Sequence, residues 1–272
     1  MKTRLLALAF IIIPLAVAYA QKPVKEYIFG VFPYMPLNKL YEVHSPMAVD
    51  LSNKIHFPVV IQSAPSFASF REALRREEFD IAFIQPFDYP EAHDKHGYLP
   101  LARRDAKLRT ILLVRKDSPL SSLQDISGKL IAAPAPSAAV TRILNREMKQ
   151  NHIDSVQDVR WVFKHSHFAC MQSVLVKEAD ACTTSVRALK HWESVRLEER
   201  FRIIYRAATY PHTLMVVHKR VPKQTREIIK QTIIDWQNTE TGRKILSRGN
   251  LIPFVEAHDS EYDVIRKIEA DN

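Results

Sequence analysis

At 272 residues, 46% apolar and 25% charged, the chain has enough apolar content to bury a core, which excludes an intrinsically disordered protein and leaves room for one large domain or two of about 100–130 residues. The 39 Lys and Arg against 30 Asp and Glu give a formal charge of +9. Because these basic residues are scattered among acidic ones, with no basic run carrying interleaved aromatics, a nucleic-acid stripe is excluded, and the charge reads as a surface suited to anions or an anionic membrane face.

Lys2 and Arg4 precede an apolar run over 5–17, and Ala18-Tyr19-Ala20 places small residues where a signal peptidase reads them. A signal peptide over 1–20 is expected, with export to the periplasm. The run is short for ~30 Å of hydrocarbon, and no cysteine follows the cleavage point to carry a lipid. Loss of Lys2 and Arg4 leaves 37 basic against 30 acidic residues, a charge of +7.

Beyond residue 20, strand-like and helix-like segments alternate. Strands are expected over 26–32, 57–63, 79–84 and 111–115. Between them, 37–55 carries Leu40, Val43, Met47, Leu51 and Ile55 at helical spacing, 66–76 has Ser66 as its N-cap, and 89–96 is a short helix. A second set follows, with strands over 130–133, 158–163, 179–183, 201–208 and 214–218. Its helices are expected from 136 to about 150 and over 168–178, 185–191, 224–238, 241–248 and 260–268. Such alternation implies βαβ units and an α/β fold with parallel sheet, whose ligands bind outside the carboxyl ends of the strands. The loops that matter are therefore 33–36, 63–66, 85–89, 134–138, 165–168 and 183–185.

Several of these segments resemble, in order, the phosphate/phosphite/phosphonate (PhnD-like) substrate-binding family of ABC importers. Phe29-Gly30-Val31-Phe32-Pro33 is similar to its opening strand, and Asp80-Ile81-Ala82-Phe83 through Pro86 and Tyr89 to its D-[IL]-A-[YF]-x-x-P-x-x-Y stretch. Leu123 to Lys129 resembles SLxDLKGK, Phe163-Lys164-His165-Ser166-His167 resembles F-x-G-S-H, and Val176 to Ala181 resembles V-x-x-G-x-A-D-A. The resemblance spans roughly 26–268. It implies a type II periplasmic binding fold: two α/β lobes joined by two hinge strands, with a ligand cleft between. The first lobe is then discontinuous over 21–115 and 209–272, and the second covers 116–208. The hinges are expected near 108–115 and 206–216.

The same resemblance points to Tyr34, Gln85, Tyr89, Ser137, His167, Thr183 and Thr184 as ligand contacts, held together with backbone N–H groups at helix N-termini. Ser137, Tyr34 and Tyr89 also have plainer structural readings, the serine as an N-cap and the tyrosines as packing residues, and His165, outside this set, reads as a rim residue. The departures count too. The family's run of hydroxyls is here Pro134-Ala135-Pro136-Ser137-Ala138-Ala139, Phe168 follows the histidine, and Thr183-Thr184-Ser185 stands where acidic residues are frequent. Fewer donors suit a dianion poorly, so the expected ligand is phosphonate- or oxyanion-like, or less charged and partly apolar.

Cys170 in the first turn of a helix and Cys182 near the end of the next strand lie at the same sheet edge, where a disulfide and two buried thiols are both open readings. No nucleophile elbow, Gly-rich phosphate loop or HExxH motif is present, so neither an enzyme nor a cofactor is expected. His165 and His167 supply at most two ligands from one loop, short of a zinc site. The expected function is capture of a small molecule for an inner-membrane ABC importer. The alternatives are a sensory or partner-presenting protein, or a carrier of a lipid-like ligand for a non-ABC system.

Overall fold

The computed structural model describes residues 26–191 and 197–270. The signal-peptide expectation for 1–20 lies outside them. Among the described residues no helix is long and apolar enough to cross a membrane.

The first lobe is laid down by β1 (Tyr27–Val31), α1 (Leu37–Ile55), β2 (Val59–Gln62), α2 (Phe67–Arg75), β3 (Ile81–Ile84), α3 (Tyr89–His96) and β4 (Tyr98–Arg104). The apolar spacing read along α1 is its buried face, since Leu40, Val43, Met47 and Leu51 are all inaccessible or nearly so. At the start of α2 the Ser66 hydroxyl accepts the Ser69 N–H while the Ser69 hydroxyl accepts the Ser66 N–H, a capping box. β3 is buried on both faces, which explains its unbroken apolar run. In the first sheet, β2, β1 and β3 lie parallel in that order.

The chain then crosses at Asp105–Ala106 into β5 (Lys107–Arg115), β6 (Leu130–Ala133), α4 (Ala139–Gln150), β7 (Arg160–Phe163), α5 (His167–Leu175), β8 (Ala181–Ser185), α6 (Val186–His191) and β9 (Phe201–Pro211). These strands form a second sheet in the order β7-β6-β8-β5-β9. Along β5, Ile111 and Leu113 face one core cluster and Leu112 and Val114 another, so period-two alternation fills both faces. The return crossing at His212–Thr213 leads to β10 (Leu214–His218), α7 (Lys223–Asp235), α8 (Glu240–Arg248), β11 (Phe254–Glu256) and α9 (Asp263–Ala270). β10, β4 and β11 complete the first sheet, all antiparallel to their neighbours.

This corrects the expected lobe boundary. Among the described residues β5 pairs only with β8 and β9, so 107–115 belongs with the second sheet, and β9 stays in it to Pro211. The crossings are short, and they touch: the Arg104 N–H donates to the Thr213 carbonyl at 3.1 Å. β4 and β11 were not expected. Pro100 hides β4, because a proline cannot donate to a ladder. Here it sits beside a register shift in the β4–β10 pairing, where Val216 faces Pro100 and Met215 faces Ala102.

Cys170 and Cys182 form a disulfide, with Cα atoms 5.7 Å apart and both residues fully buried in the second lobe. It closes a loop with a sequence separation of 12. A loop of that length is worth roughly 3 kcal/mol, or about 6–12 °C in Tm for a protein of this size. Calorimetry of a Cys170→Ser/Cys182→Ser variant should show that drop, and an unchanged Tm would contradict it.

Candidate functional site

Between the sheets, directly over the two crossings, lies a cavity of about 100 Å³. Its apolar walls include Phe32, Leu108, Phe168 and Leu251, and its polar ones Tyr34, Arg104, His167, Ser185, Arg187 and His212. Two arginines and two histidines thus face one small space, and no Asp or Glu among the described residues lines it.

Arg104, the last residue of β4, is 6% exposed, and its Nε has no hydrogen-bond partner among the described residues. Its guanidinium lies 5.0 Å from the centre of the Phe83 ring. Burial lowers its pKa, yet a guanidinium stays charged at neutral pH. An ionic group held without an opposite charge is costly to bury, so its retention calls for an anion from outside the chain.

The neighbouring hydrogen bonds leave Arg104 as the charge of its cluster. The His44 ring approaches the Met47 sulfur at 3.3 Å through Nδ1 and the Tyr34 hydroxyl at 2.8 Å through Nε2. A thioether only accepts, so the His44 proton sits on Nδ1 and Nε2 accepts from Tyr34. The Tyr34 oxygen is then free to accept from Arg104, which lies beside it. Burial, first, and then Arg104 lower the His44 pKa to about 3, so the ring is neutral.

His212 sits on the second crossing, and its Nδ1 accepts the Thr213 N–H at 2.8 Å. The proton of the neutral ring is therefore on Nε2, a donor. Burial, reinforced by Arg104 and Arg187, holds its pKa well below the usual histidine range. From the opposite lobe, His167 opens α5 and contacts the Thr184 hydroxyl through Nδ1 at 2.8 Å, with burial lowering its pKa to about 4.

The contacts expected from sequence divide clearly. Tyr34, Gln85 and His167 line the cavity. Thr184 is fully buried and orients His167 from behind, while the Thr183 hydroxyl donates to the Val140 carbonyl at 3.3 Å. Tyr89 is a correction: it is fully buried, its hydroxyl donates to Asp259 at 2.9 Å, and its ring packs against Tyr262, away from the cleft. Ser137 does not cap α4. Ala138 is the N-cap, without a side-chain bond, and Gln85 reaches across from the first lobe so that its Oε1 accepts the Ala139 N–H at 2.9 Å. The Gln85 amide also donates to the Ser137 carbonyl at 3.5 Å and to Asp88 at 3.1 Å. Arg187 makes a second tie between lobes, donating to the Asn250 side chain at 3.1 Å and to its carbonyl.

Ser137 instead lines a larger vestibule of about 790 Å³, on the outer side of the same cleft. Met35, Pro36 and Ser166 border both spaces. Pro33, Pro36, Pro65, Pro134 and Pro136 line the vestibule, and no Lys, Arg, Asp or Glu among the described residues does. His165 stands on this outer side in the left-handed region, φ 63°, where the resembled motif has glycine. His165 and His167 thus face different spaces and do not converge on a metal.

Compared with known proteins, residues 29–262 match a family model described as the periplasmic phosphonate substrate-binding protein of ABC transporters. The phosphonates-binding periplasmic protein of Escherichia coli is 22% identical over 267 residues, covering 93% of this chain and 79% of that protein. A binding component of a phosphonate transporter from Pseudomonas aeruginosa shares the fold at a TM-score of 0.81 and 19% identity, over 89% of this chain and 85% of that one. PhnD1 from Prochlorococcus marinus, solved with methylphosphonate, superposes with a TM-score of 0.81 at 15% identity, over 91% and 98% of the two chains.

Proposed function

The chain belongs to the family of periplasmic phosphonate substrate-binding proteins of ABC transporters, and from that membership we propose that it captures a phosphonate-class oxyanion between its lobes, with Arg104 as the counter-charge. The observation that carries this reading is the buried guanidinium of Arg104 facing a cavity without a carboxylate. The oxyanion enters solvated between separated lobes and meets Arg104 and His212 at the crossings. Closure brings His167 from the second lobe and excludes water, which strengthens each charge-assisted hydrogen bond. Gln85 and Arg187 then tie the lobes together. Delivery to the permease of an ABC importer requires that these ties, and the Arg142–Glu269 ion pair between α4 and α9, reopen. Nothing in the sequence of events makes or breaks a covalent bond.

The test is a thermal-shift and calorimetric screen of methylphosphonate, phosphite, phosphate and sulfate on the exported chain. A ligand at 100 times its Kd adds about 2.7 kcal/mol of stability, a visible rise in midpoint. At least one tetrahedral oxyanion should produce it. Neutral sugars or amino acids shifting the midpoint while every oxyanion fails would overturn the reading.

A further inference from the structure

The small cationic cavity and the large charge-free vestibule are two parts of one cleft, and their chemistries differ sharply. The cavity offers guanidinium and imidazole donors in about 100 Å³, room for a tetrahedral head group and little else. The vestibule offers about 790 Å³, a size typical of sites for whole organic ligands. Its walls are largely carbon: Tyr41, Phe67 and Phe163 join the prolines, with the hydroxyls of Ser63, Ser66, Ser137 and Ser166 and the His165 ring among them. Proline lacks a backbone N–H, so the strand-to-helix turns around Pro33, Pro65 and Pro134 are poor in the amide donors that such turns ordinarily offer an anion. Without a Lys or Arg on its described lining, this surface offers a small polyanion no counter-charge, only scattered hydroxyls and one imidazole.

We infer that the ligand is amphiphilic: an organophosphonate whose oxyanion head occupies the Arg104 cavity while an alkyl or aryl substituent of several carbons leaves past Met35, Pro36 and Ser166 into the vestibule. This rests on the oxyanion reading above and extends it to the substituent. Charge complementarity selects the occupant. The head is fixed where the positive side chains are, and the tail lies where there is no charge to desolvate. The same arrangement disfavours an aminoalkyl substituent, because an ammonium group would meet no carboxylate on the described lining of either space.

The experiment is a calorimetric series of methyl-, butyl- and octylphosphonate on the whole exported chain. Affinity should rise by about fourfold for each methylene buried, levelling off once the vestibule is filled. A Phe163→Asp variant probes the tail separately. Phe163 ends an edge strand, is 37% exposed and belongs to neither core cluster of the second lobe, so the change puts no charge into a core. It should weaken octylphosphonate at least tenfold and leave methylphosphonate binding as it was. Methylphosphonate binding with an affinity that stays flat or falls along the series would overturn the inference alone. Failure of all three phosphonates while phosphate, phosphite or sulfate still binds would likewise overturn the inference alone, and failure of every one of these anions would overturn the oxyanion reading with it.

Discussion

An Arg104→Met variant is expected to lose oxyanion binding while folding at least as stably as the native chain. Truncating one partner of a buried, hydrogen-bonded charge pair typically costs about 2–5 kcal/mol, here about a 30-fold to several-thousand-fold loss of affinity. Stability should move the other way. Without ligand, Arg104 is 6% exposed, and among the described residues its Nε is unpaired and no carboxylate lines its cavity. Methionine keeps the apolar contact with Phe83 and removes a charge that the fold alone does not compensate. Calorimetry on one preparation reads both effects: the binding isotherm vanishes, and the ligand-free Tm holds or rises. Wild-type affinity in the variant would remove Arg104 from the site. A fall of many degrees would make it a structural residue.

Acid should destabilise the ligand-free protein steeply between about pH 6.5 and 4. His44, His167 and His212 are all neutral in the folded state, with burial the leading cause and pKa values of about 3, about 4 and well below the usual range. In the unfolded chain each titrates near pH 6.5. Below that pH the unfolded state binds more protons, so stability is full above pH 6.5 and falls as pH drops toward the folded values. Each histidine contributes a slope of up to about 1.4 kcal/mol per pH unit, and three together lose on the order of several kcal/mol by pH 5. His218, also lowered chiefly by burial, adds in the same direction. Asp88, raised to about 6 by burial, works oppositely and offsets part of one histidine. Urea midpoints at pH 7 and pH 5 measure the sum, and His167→Gln should flatten the slope by up to one proton. A stability that does not change between those pH values would contradict the neutral, buried histidines. An oxyanion in the cavity favours the protonated forms of His167 and His212, which line it, and so opposes part of this loss.

The alternation of β-branched and amphipathic segments was enough to place most strands and helices, because their periods are local properties, whereas the lobes came only from the family resemblance and their boundary moved to the short crossings at 105–106 and 212–213. The helix over 37–55 agrees with α1 at both ends, and Leu40, Val43, Met47 and Leu51 form its buried face. The site was less legible. His167 and Tyr34 stand out because short motifs hold them in loops after strands. Arg104 does not, since it ends a strand disguised by Pro100 and becomes conspicuous only when β4, β10 and the His212 crossing come together. The loss of hydroxyls around Ser137 suggested a less charged ligand. The loop does lack them, but the positive charge arrives from strand ends distant in sequence, and the donor-poor loop lines the vestibule instead. Tyr89 occupies a loop-to-helix junction suited to ligand contact, yet Asp259 and Tyr262, far along the chain, draw it into the first lobe. Long-range partners of this kind carry no local signature.

A crystal structure of the exported chain with methylphosphonate bears most directly on the central assignment. Phosphonate oxygens should lie about 2.7–2.9 Å from the Arg104 guanidinium, within the cavity bounded by His167 and His212. Density for the anion elsewhere, with Arg104 turned to a carboxylate of its own chain, would contradict it.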